Sequence, residues 1–210
     1  MFNFKLLGCF HLDYKRKLFL CIVNLMYEFI KYKWKASGRH GIHSPFIYDL
    51  IENGIRTSII KAEFHPNDSK NIGFQKFIFR LLRYFKPQHI LIDENKEITS
   101  WKNFFQQNFK DLKVQLNTEE FNNSSNTDEF DIIFISEPTN LLEKVSKLIP
   151  FFGNDTILIV YGIRKKQLVF KDWKKLCEMK TFHVSIDFFH SGLILKRNQQ
   201  EKEHFTLKTS

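Results

Sequence analysis

Two histidines near the start of the chain have a spacing that could do chemistry. His40 and His43 lie three residues apart in the stretch Gly38–Leu50, which reads GRHGIHSPFIYDL. This spacing suits metal ligation when both side chains project from one helix. The glycines of the stretch and Pro45 instead favour a loop, and neither a cysteine nor a third histidine lies nearby in the sequence. We therefore expect no metal site here and no metal cofactor.

The same stretch predicts the beginning of a helix. Ser44 followed by Pro45 is typical of an N-cap and a first helical residue, which makes the stretch a joint between two helices. This interpretation leaves Arg39, His40 and His43 without a role. Arg39 and His40 are candidates for binding a substrate or an anion. His43 is a candidate general base, because a nucleophile must lose its proton before it reacts.

Helices surround this stretch. Before it, apolar residues recur every three or four positions over residues 12–36, which predicts a long amphipathic helix with lysines in its last turns. After it, the pattern predicts a second helix from Pro45 to about Asn53 and a third over about Gly73–Phe85. We expect residues 1–86 to form a helical N-terminal extension.

From residue 89 onward, short apolar strands alternate with helices. This alternation indicates an α/β domain over residues 87–210 with a mostly parallel sheet. The last two strands are too close in the sequence for a crossover helix, so they must pair antiparallel. The predicted strands are His89–Asp93, Leu112–Leu116, Phe130–Ser136, Thr156–Tyr161, Phe182–Phe189 and Gly192–Arg197.

The composition is that of a folded, basic protein. The 210 residues include 24 phenylalanines and carry a formal net charge of +9, a balance that favours anionic partners such as nucleic acid or a membrane surface. The three cysteines have no C-x-x-C spacing, which argues against a disulfide framework or a zinc site. No apolar run reaches the roughly 20 residues of a transmembrane helix. We expect a cytoplasmic protein without a transmembrane segment.

Two segments resemble a known family. The first is HGIHSPF in the opening stretch, and the second is the C-terminal run KDWKKLCEMKTFHVSIDFFHSGLILKRNQQEKEHF. Together they resemble the class I S-adenosylmethionine-dependent methyltransferases of a group found mainly in Bacteroidetes, with an HGxHSPF motif. The resemblance implies a Rossmann-like sheet that ends in an antiparallel hairpin. It also implies that S-adenosylmethionine binds at the carboxyl ends of the first strands.

The residues that the resemblance assigns to the cofactor form an incomplete set. Asp93 stands for the acidic residue after the first strand, and Glu119 is the candidate for the carboxylate that holds the ribose. The family also has a glycine-rich turn that lets the backbone approach the cofactor. This chain has no glycine between Gly73 and Gly153. The resemblance therefore implies S-adenosylmethionine as cofactor, while these residues indicate that its binding is degraded.

Two further regions depart from the family pattern. Residues 117–129 are too few for a crossover, a strand and a second connection, so we expect a sheet shortened in the middle. Ser136 and Tyr161 stand where metal-dependent relatives have acidic residues, while Asp131 and Asp187 are expected to be structural.

These departures decide the predicted function. We expect a methyltransferase-family protein whose S-adenosylmethionine binding and catalysis are degraded or lost. The alternative is a non-catalytic binding module that uses its basic surface for an anionic partner, either nucleic acid or a membrane. An active S-adenosylmethionine-dependent methyltransferase also stays open.

Overall fold

The chain forms two compact units, Met1–Ala36 and Ser37–Ser210. The predicted division at residue 86 stays a prediction, although apolar residues on both sides of it share one core. The computed structural model describes residues 4–37, 42–59, 61–67, 71–93, 96–117 and 129–208.

The first unit holds one long helix, α1, over Phe4–Lys35. Most of its large apolar side chains from residue 19 onward are exposed, although Tyr32 is buried. The ammonium groups of Lys31 and Lys33 lie over the rings of Tyr27 and Phe29. Within the described residues, no helix combines the length and the apolar character that a membrane crossing needs. The exposed apolar residues of α1 are Phe19, Leu20, Ile22, Val23, Leu25, Met26, Tyr27, Phe29, Ile30 and Trp34.

The second unit is built on a seven-stranded sheet. Its strands are β1 (His89–Asp93), β2 (Lys113–Asn117), β3 (Phe130–Ile135), β4 (Phe152–Tyr161), β5 (Val184–Asp187), β6 (Ser191–Leu195) and β7 (Glu203–Thr206). They lie in the order β2-β1-β3-β4-β6-β5-β7. Strands β1 to β4 are parallel, and β6 pairs antiparallel with β4 and β5.

This topology confirms the predicted fold class, an α/β protein with a Rossmann-like, methyltransferase-type sheet that ends in an antiparallel hairpin. The predicted shortening falls on residues 118–128, which lie outside the described residues, and β2 is an edge strand of the described sheet. Strand β7, which pairs parallel with β5, is an element that the sequence patterns did not predict.

Among the described residues of the second unit, five helices accompany the sheet. Helix α2 begins at Pro45, as predicted, and continues as a π-helical turn to Ile55, past the predicted stop at Asn53. Two short 3₁₀ turns cover Lys61–Glu63 and Ile149–Phe151. The helices are α2 (Pro45–Asp49), α3 (Ile72–Phe85), α4 (Ile98–Asn108), α5 (Leu141–Leu148) and α6 (Gln167–Glu178).

The sheet is covered on both faces. Ile90 and Ile92 of β1 belong to the core that includes residues of α2, α3 and α4, whereas Leu91 belongs to the core under α5 and α6. Successive side chains of a strand point to opposite faces, so burial of both faces explains the near-continuous apolar runs of these strands. Helix α6 packs closely on the sheet at Gly192 of β6, where an added Cβ would overlap the indole ring of Trp173.

The first and last described segments of the second unit meet at the edge of the sheet. Ser37 forms a parallel bridge with Leu207, just after β7. The backbone N–H of Ser37 donates to the carbonyl oxygen of Thr206 at 2.8 Å. This hydrogen bond fixes the start of the unit beside its last strand.

Candidate functional site

Asp93 lies at the carboxyl end of β1, the edge where sheets of this type bind their ligands. Its carboxylate is buried, and its partners include two donors from described residues. The Nζ atom of Lys144, from α5, lies 2.5 Å from Oδ2, and Nδ2 of Asn117 donates to Oδ1 at 3.1 Å. The one predicted cofactor residue in the described part of the chain is therefore engaged by side chains of the protein itself.

Lys144 reaches Asp93 because α5 follows β3, the neighbour of β1 in the sheet. Its Nζ atom also donates to the carbonyl oxygen of Glu137 at 3.4 Å. The side chain of Lys144 is 26% exposed and that of Asp93 is 5% exposed. A charge taken out of water is costly unless it is paired, so the ammonium of Lys144 stabilises the buried carboxylate at the end of β1.

Strand β2 ends in Asn117, which lies in register with Asp93 of β1. The Oδ1 atom of Asn117 is buried and has no hydrogen-bond partner among the described residues. The end of β2 thus presents an amide, whereas the resemblance implies a ribose-binding carboxylate near this position. Glu119, the residue predicted for that role, lies outside the described residues.

A small cleft opens at the same edge of the sheet. Its volume is about 210 Å³, and it lies among residues that follow β1, β3 and β4. Ser136, directly after β3, lines it with a hydroxyl that is buried and has no hydrogen-bond partner in the described part of the chain. The charged lining residues are Lys96, Lys165, Lys166, Glu97 and Glu137.

A second cavity, of about 450 Å³, lies between the start of α3 and the ends of β4 and β5. The rings of Phe74 and Tyr161 stack there with centroids 4.1 Å apart, and the Tyr161 hydroxyl donates to Oδ1 of Asn71 at 3.2 Å. Phe77 and Phe188 add an edge-to-face pair. The cavity is therefore mostly aromatic, which suits a planar apolar group.

The polar lining of this aromatic cavity has one fixed cation. Burial lowers the pKa of His190, and the positive charge of Arg164 acts in the same direction. Burial raises the pKa of Tyr161, and so does the negative charge of Glu97. Both side chains are therefore neutral at pH 7. The guanidinium of Arg80, whose Nε atom donates to the carbonyl oxygen of Thr57 at 2.8 Å, keeps its charge.

Asp187 is structural, as the sequence predicts. Its two carboxylate oxygens accept hydrogen bonds from the two terminal nitrogens of Arg164 at 2.7 and 2.6 Å. The backbone N–H of Phe189 also donates to it, and the Arg164 guanidinium lies between the rings of Phe170 and Phe189. This arrangement ties the β4–α6 loop to the β5–β6 turn. Asp131 has a similar role, because its Oδ2 atom accepts from the backbone N–H groups of residues 88 and 89.

The opening stretch is described only in part. Arg39 and His40, the predicted substrate or anion ligands, lie outside the described residues. His43, the predicted general base, is exposed and lines neither the small cleft nor the aromatic cavity. Ser44 occupies the N-cap position of α2, but its hydroxyl makes no capping bond and instead accepts from Nε2 of Gln200 at 3.2 Å.

Sequence reasoning missed Lys144, Asn117 and the lysines of the small cleft. Lys144 is one of two lysines on its amphipathic helix, and only the sheet order shows that it faces β1. Asn117 carried a usable signal, because it directly follows the apolar residues of its strand. Among the described residues, no group of three or more His, Cys, Asp or Glu side chains could hold a metal ion.

Comparisons with known proteins identify similar folds. No family model and no curated protein matches the chain. Among solved structures, an SAH-bound methyltransferase from Podospora anserina has 12% sequence identity and a TM-score of 0.45, covering 94% of this chain and 99% of its own.

Two other solved structures are similar to the same degree. An O-methyltransferase from Bacillus cereus in complex with SAH has 12% identity and a TM-score of 0.45, covering 64% of this chain and 86% of its own. An O-methyltransferase from Streptomyces achromogenes involved in tomaymycin synthesis, in complex with SAM, has 11% identity and a TM-score of 0.44. The match covers 70% of this chain and 95% of its own.

Proposed function

We propose that this chain is a methyltransferase-fold protein that does not bind S-adenosylmethionine and acts as a non-catalytic binding module. The observation that carries this proposal is the state of Asp93. Its carboxylate already has the ammonium of Lys144 and the amide of Asn117 as partners. A cofactor that used Asp93 would have to break a buried ion pair before it gained its own contacts. Membership in the group with the HGxHSPF motif is part of the same proposal.

The charges of the small cleft support the proposal. S-adenosylmethionine carries a positively charged sulfonium, so cations at the ends of the strands oppose it. Lys96, Lys165 and Lys166 line the cleft together with Glu97 and Glu137, an excess of one positive charge. None of the three lysines forms an ion pair with another described residue. The residues at this edge therefore do not fit the cofactor that the resemblance implies.

Titration calorimetry with S-adenosylmethionine and S-adenosylhomocysteine tests the loss of binding. We expect no heat of binding at millimolar ligand for the full chain. Binding of either ligand below a millimolar dissociation constant would refute the proposal. An active methyltransferase is the second candidate, favoured by the aromatic cavity of about 450 Å³, which could hold a methyl acceptor. The same titration decides between the two candidates.

We propose an anionic membrane surface as the partner of the basic N-terminal helix. Lysines and exposed apolar side chains occur together on α1, where Trp34 is 87% exposed. Nucleic acid would need the cations, but it would leave residues such as Phe19 and Leu20 in water. A lipid interface binds both the apolar side chains and the lysines, because the apolar side chains insert among the acyl chains and the lysines contact the headgroups.

Vesicle binding tests this partner. Trp34 is exposed, whereas the other tryptophans, Trp101 and Trp173, are buried, so a blue shift of the emission on binding reports α1. We expect the shift with phosphatidylglycerol-containing vesicles, a weaker one at high salt, and none in the Phe19→Ser/Leu20→Ser variant. Leu168→Ser is the matched control, because Leu168 is equally exposed but lies on α6. Binding to nucleic acid without binding to vesicles would contradict this choice of partner.

A further inference from the structure

The small cleft contains a buried hydroxyl that lacks a partner. Ser136 is only 3% exposed, and its Oγ atom has no hydrogen-bond partner among the described residues. Nearly all buried polar groups in proteins are hydrogen-bonded, because an unpaired group loses its water without compensation. Since Ser136 lines the cleft, a ligand bound there could supply the missing partner.

Three cations line the same cleft. Lys165 is held in place by its surroundings, since its aliphatic stem packs on Gly162, a residue with φ of +78°, and its ammonium lies 4.3 Å from the centroid of the Tyr161 ring. A side chain at position 162 would collide with that stem. Lys96 and Lys166 also line the cleft, and like Lys165 they form no ion pair with a described residue.

The cleft also lies at the beginning of a helix. Lys166 is the N-cap residue of α6, which has 12 residues. The first backbone N–H groups of a helix lack partners within it, and they carry the positive end of the helix dipole. A helix start beside a buried hydroxyl and lysines that form no ion pair, as judged among the described residues, is a combination that binds anions.

Two carboxylates limit the size of that anion. Glu97 and Glu137 line the cleft together with the three lysines, so the side chains contribute an excess of one positive charge. Such a site suits a compact anion that contacts the lysines and the helix start. It does not suit an extended polyanion, which would also meet both glutamates.

We propose that this cleft binds a phosphate group, either inorganic phosphate or the phosphate of a small phosphomonoester. The ligand accepts a hydrogen bond from the Ser136 hydroxyl and ion pairs with Lys165 and Lys166. The cleft volume of about 210 Å³ is below the usual range for drug-sized ligands, which agrees with a ligand of this size. The proposal goes beyond the loss of S-adenosylmethionine binding and does not depend on it.

Calorimetric titration of the full chain with sodium phosphate, at an ionic strength held constant with sodium chloride, tests the site. We expect one-site binding, weakened about tenfold or more in the Lys165→Gln/Lys166→Gln variant because two charge-assisted contacts are lost. Lys147→Gln is the control for overall charge, because Lys147 is exposed and paired with Glu143 outside the cleft. No binding at millimolar phosphate, or equal weakening in the control, would overturn the proposal.

Ser136→Ala gives a second test that a merely structural role cannot imitate. The substitution removes a buried hydroxyl without a partner, so the free protein should keep or gain stability. Phosphate binding should nevertheless weaken by about tenfold, because a hydrogen bond to a charged ligand is lost. A variant that binds phosphate as well as the unaltered chain would refute the role of Ser136.

Phenyl phosphate distinguishes the two sources of the phosphate group. Tyr161 lines the aromatic cavity, and its ring contacts Lys165 of the small cleft. Tighter binding of phenyl phosphate than of inorganic phosphate would assign the site to a phosphomonoester, whereas equal or weaker binding would assign it to inorganic phosphate. Titration with S-adenosylhomocysteine is a separate measurement, so failure of either proposal can be recognised independently.

Discussion

Removal of the Lys144 side chain should destabilise the protein through Asp93. In Lys144→Ala, the Asp93 carboxylate stays buried and keeps the hydrogen bond from Asn117. Loss of one partner from a fully buried ion pair costs about 3–5 kcal/mol, and loss of a hydrogen bond to a charged group costs about 1.5–3 kcal/mol. Because the Lys144 side chain is 26% exposed, water can reach the site, and we expect a loss of about 2–3 kcal/mol.

Urea unfolding followed by circular dichroism measures this loss. Lys147→Ala is a closely matched control, because Lys147 lies one turn away on α5 and makes an exposed pair with Glu143, with side chains 73% and 62% exposed. The Lys147→Ala variant should lose less than about 0.5 kcal/mol of its free energy of unfolding. In the Lys144→Ala background, Asp93→Asn should recover part of the stability because it removes the negative charge that Lys144 no longer pairs. Equal stability of the two alanine variants would refute the ion pair and with it the argument against S-adenosylmethionine.

Three further predictions concern the packing of the second unit. Arg164→Met should lower the free energy of unfolding by about 3–5 kcal/mol, because it leaves a buried carboxylate unpaired; a loss below about 1 kcal/mol in urea unfolding would contradict that pairing. Gly192→Ala should lower the free energy of unfolding by about 1–3 kcal/mol, because the added methyl group overlaps Trp173. Gly73→Ala is the control, because the space around Gly73 is open, and it should leave the free energy of unfolding unchanged or raise it in the same assay. Burial raises the pKa of the Cys177 thiol to about 12. In a variant without the other two cysteines, the reaction of Cys177 with a disulfide reagent at pH 8 should therefore be roughly a thousandfold slower than that of a free thiol. Rapid labelling of the folded chain would show that the thiol is not shielded.

The sequence predicts the fold well because burial on both faces of the sheet produces long apolar runs. The strand His89–Asp93 has the predicted ends, and the antiparallel hairpin follows from the short distance between its strands. Strand β7 has the charged sequence EHFT at a sheet edge. Its first two side chains are exposed and its last two are half-buried, so it lacks the apolar pattern from which the other strands were predicted.

The site was less predictable because its main contacts join distant parts of the chain. Asp93 was recognised from its place after an apolar strand, but its partner Lys144 lies 51 residues away. Only the sheet order, which sets β1 beside β3, brings the two together. The Ser44 hydroxyl illustrates the same limit, because its position predicts a helix cap while its contact is with Gln200, 156 residues later.

The bridge between Ser37 and Leu207 places the two ends of the second unit side by side. A chain whose ends already touch loses little further conformational entropy when they are joined, because the closing loop can be short. The unit is therefore suited to circular permutation, in which a brief linker connects residue 208 to residue 37 and new ends are opened in a surface loop. In such a permuted chain the edge strand β7 would lie in the interior of the sequence.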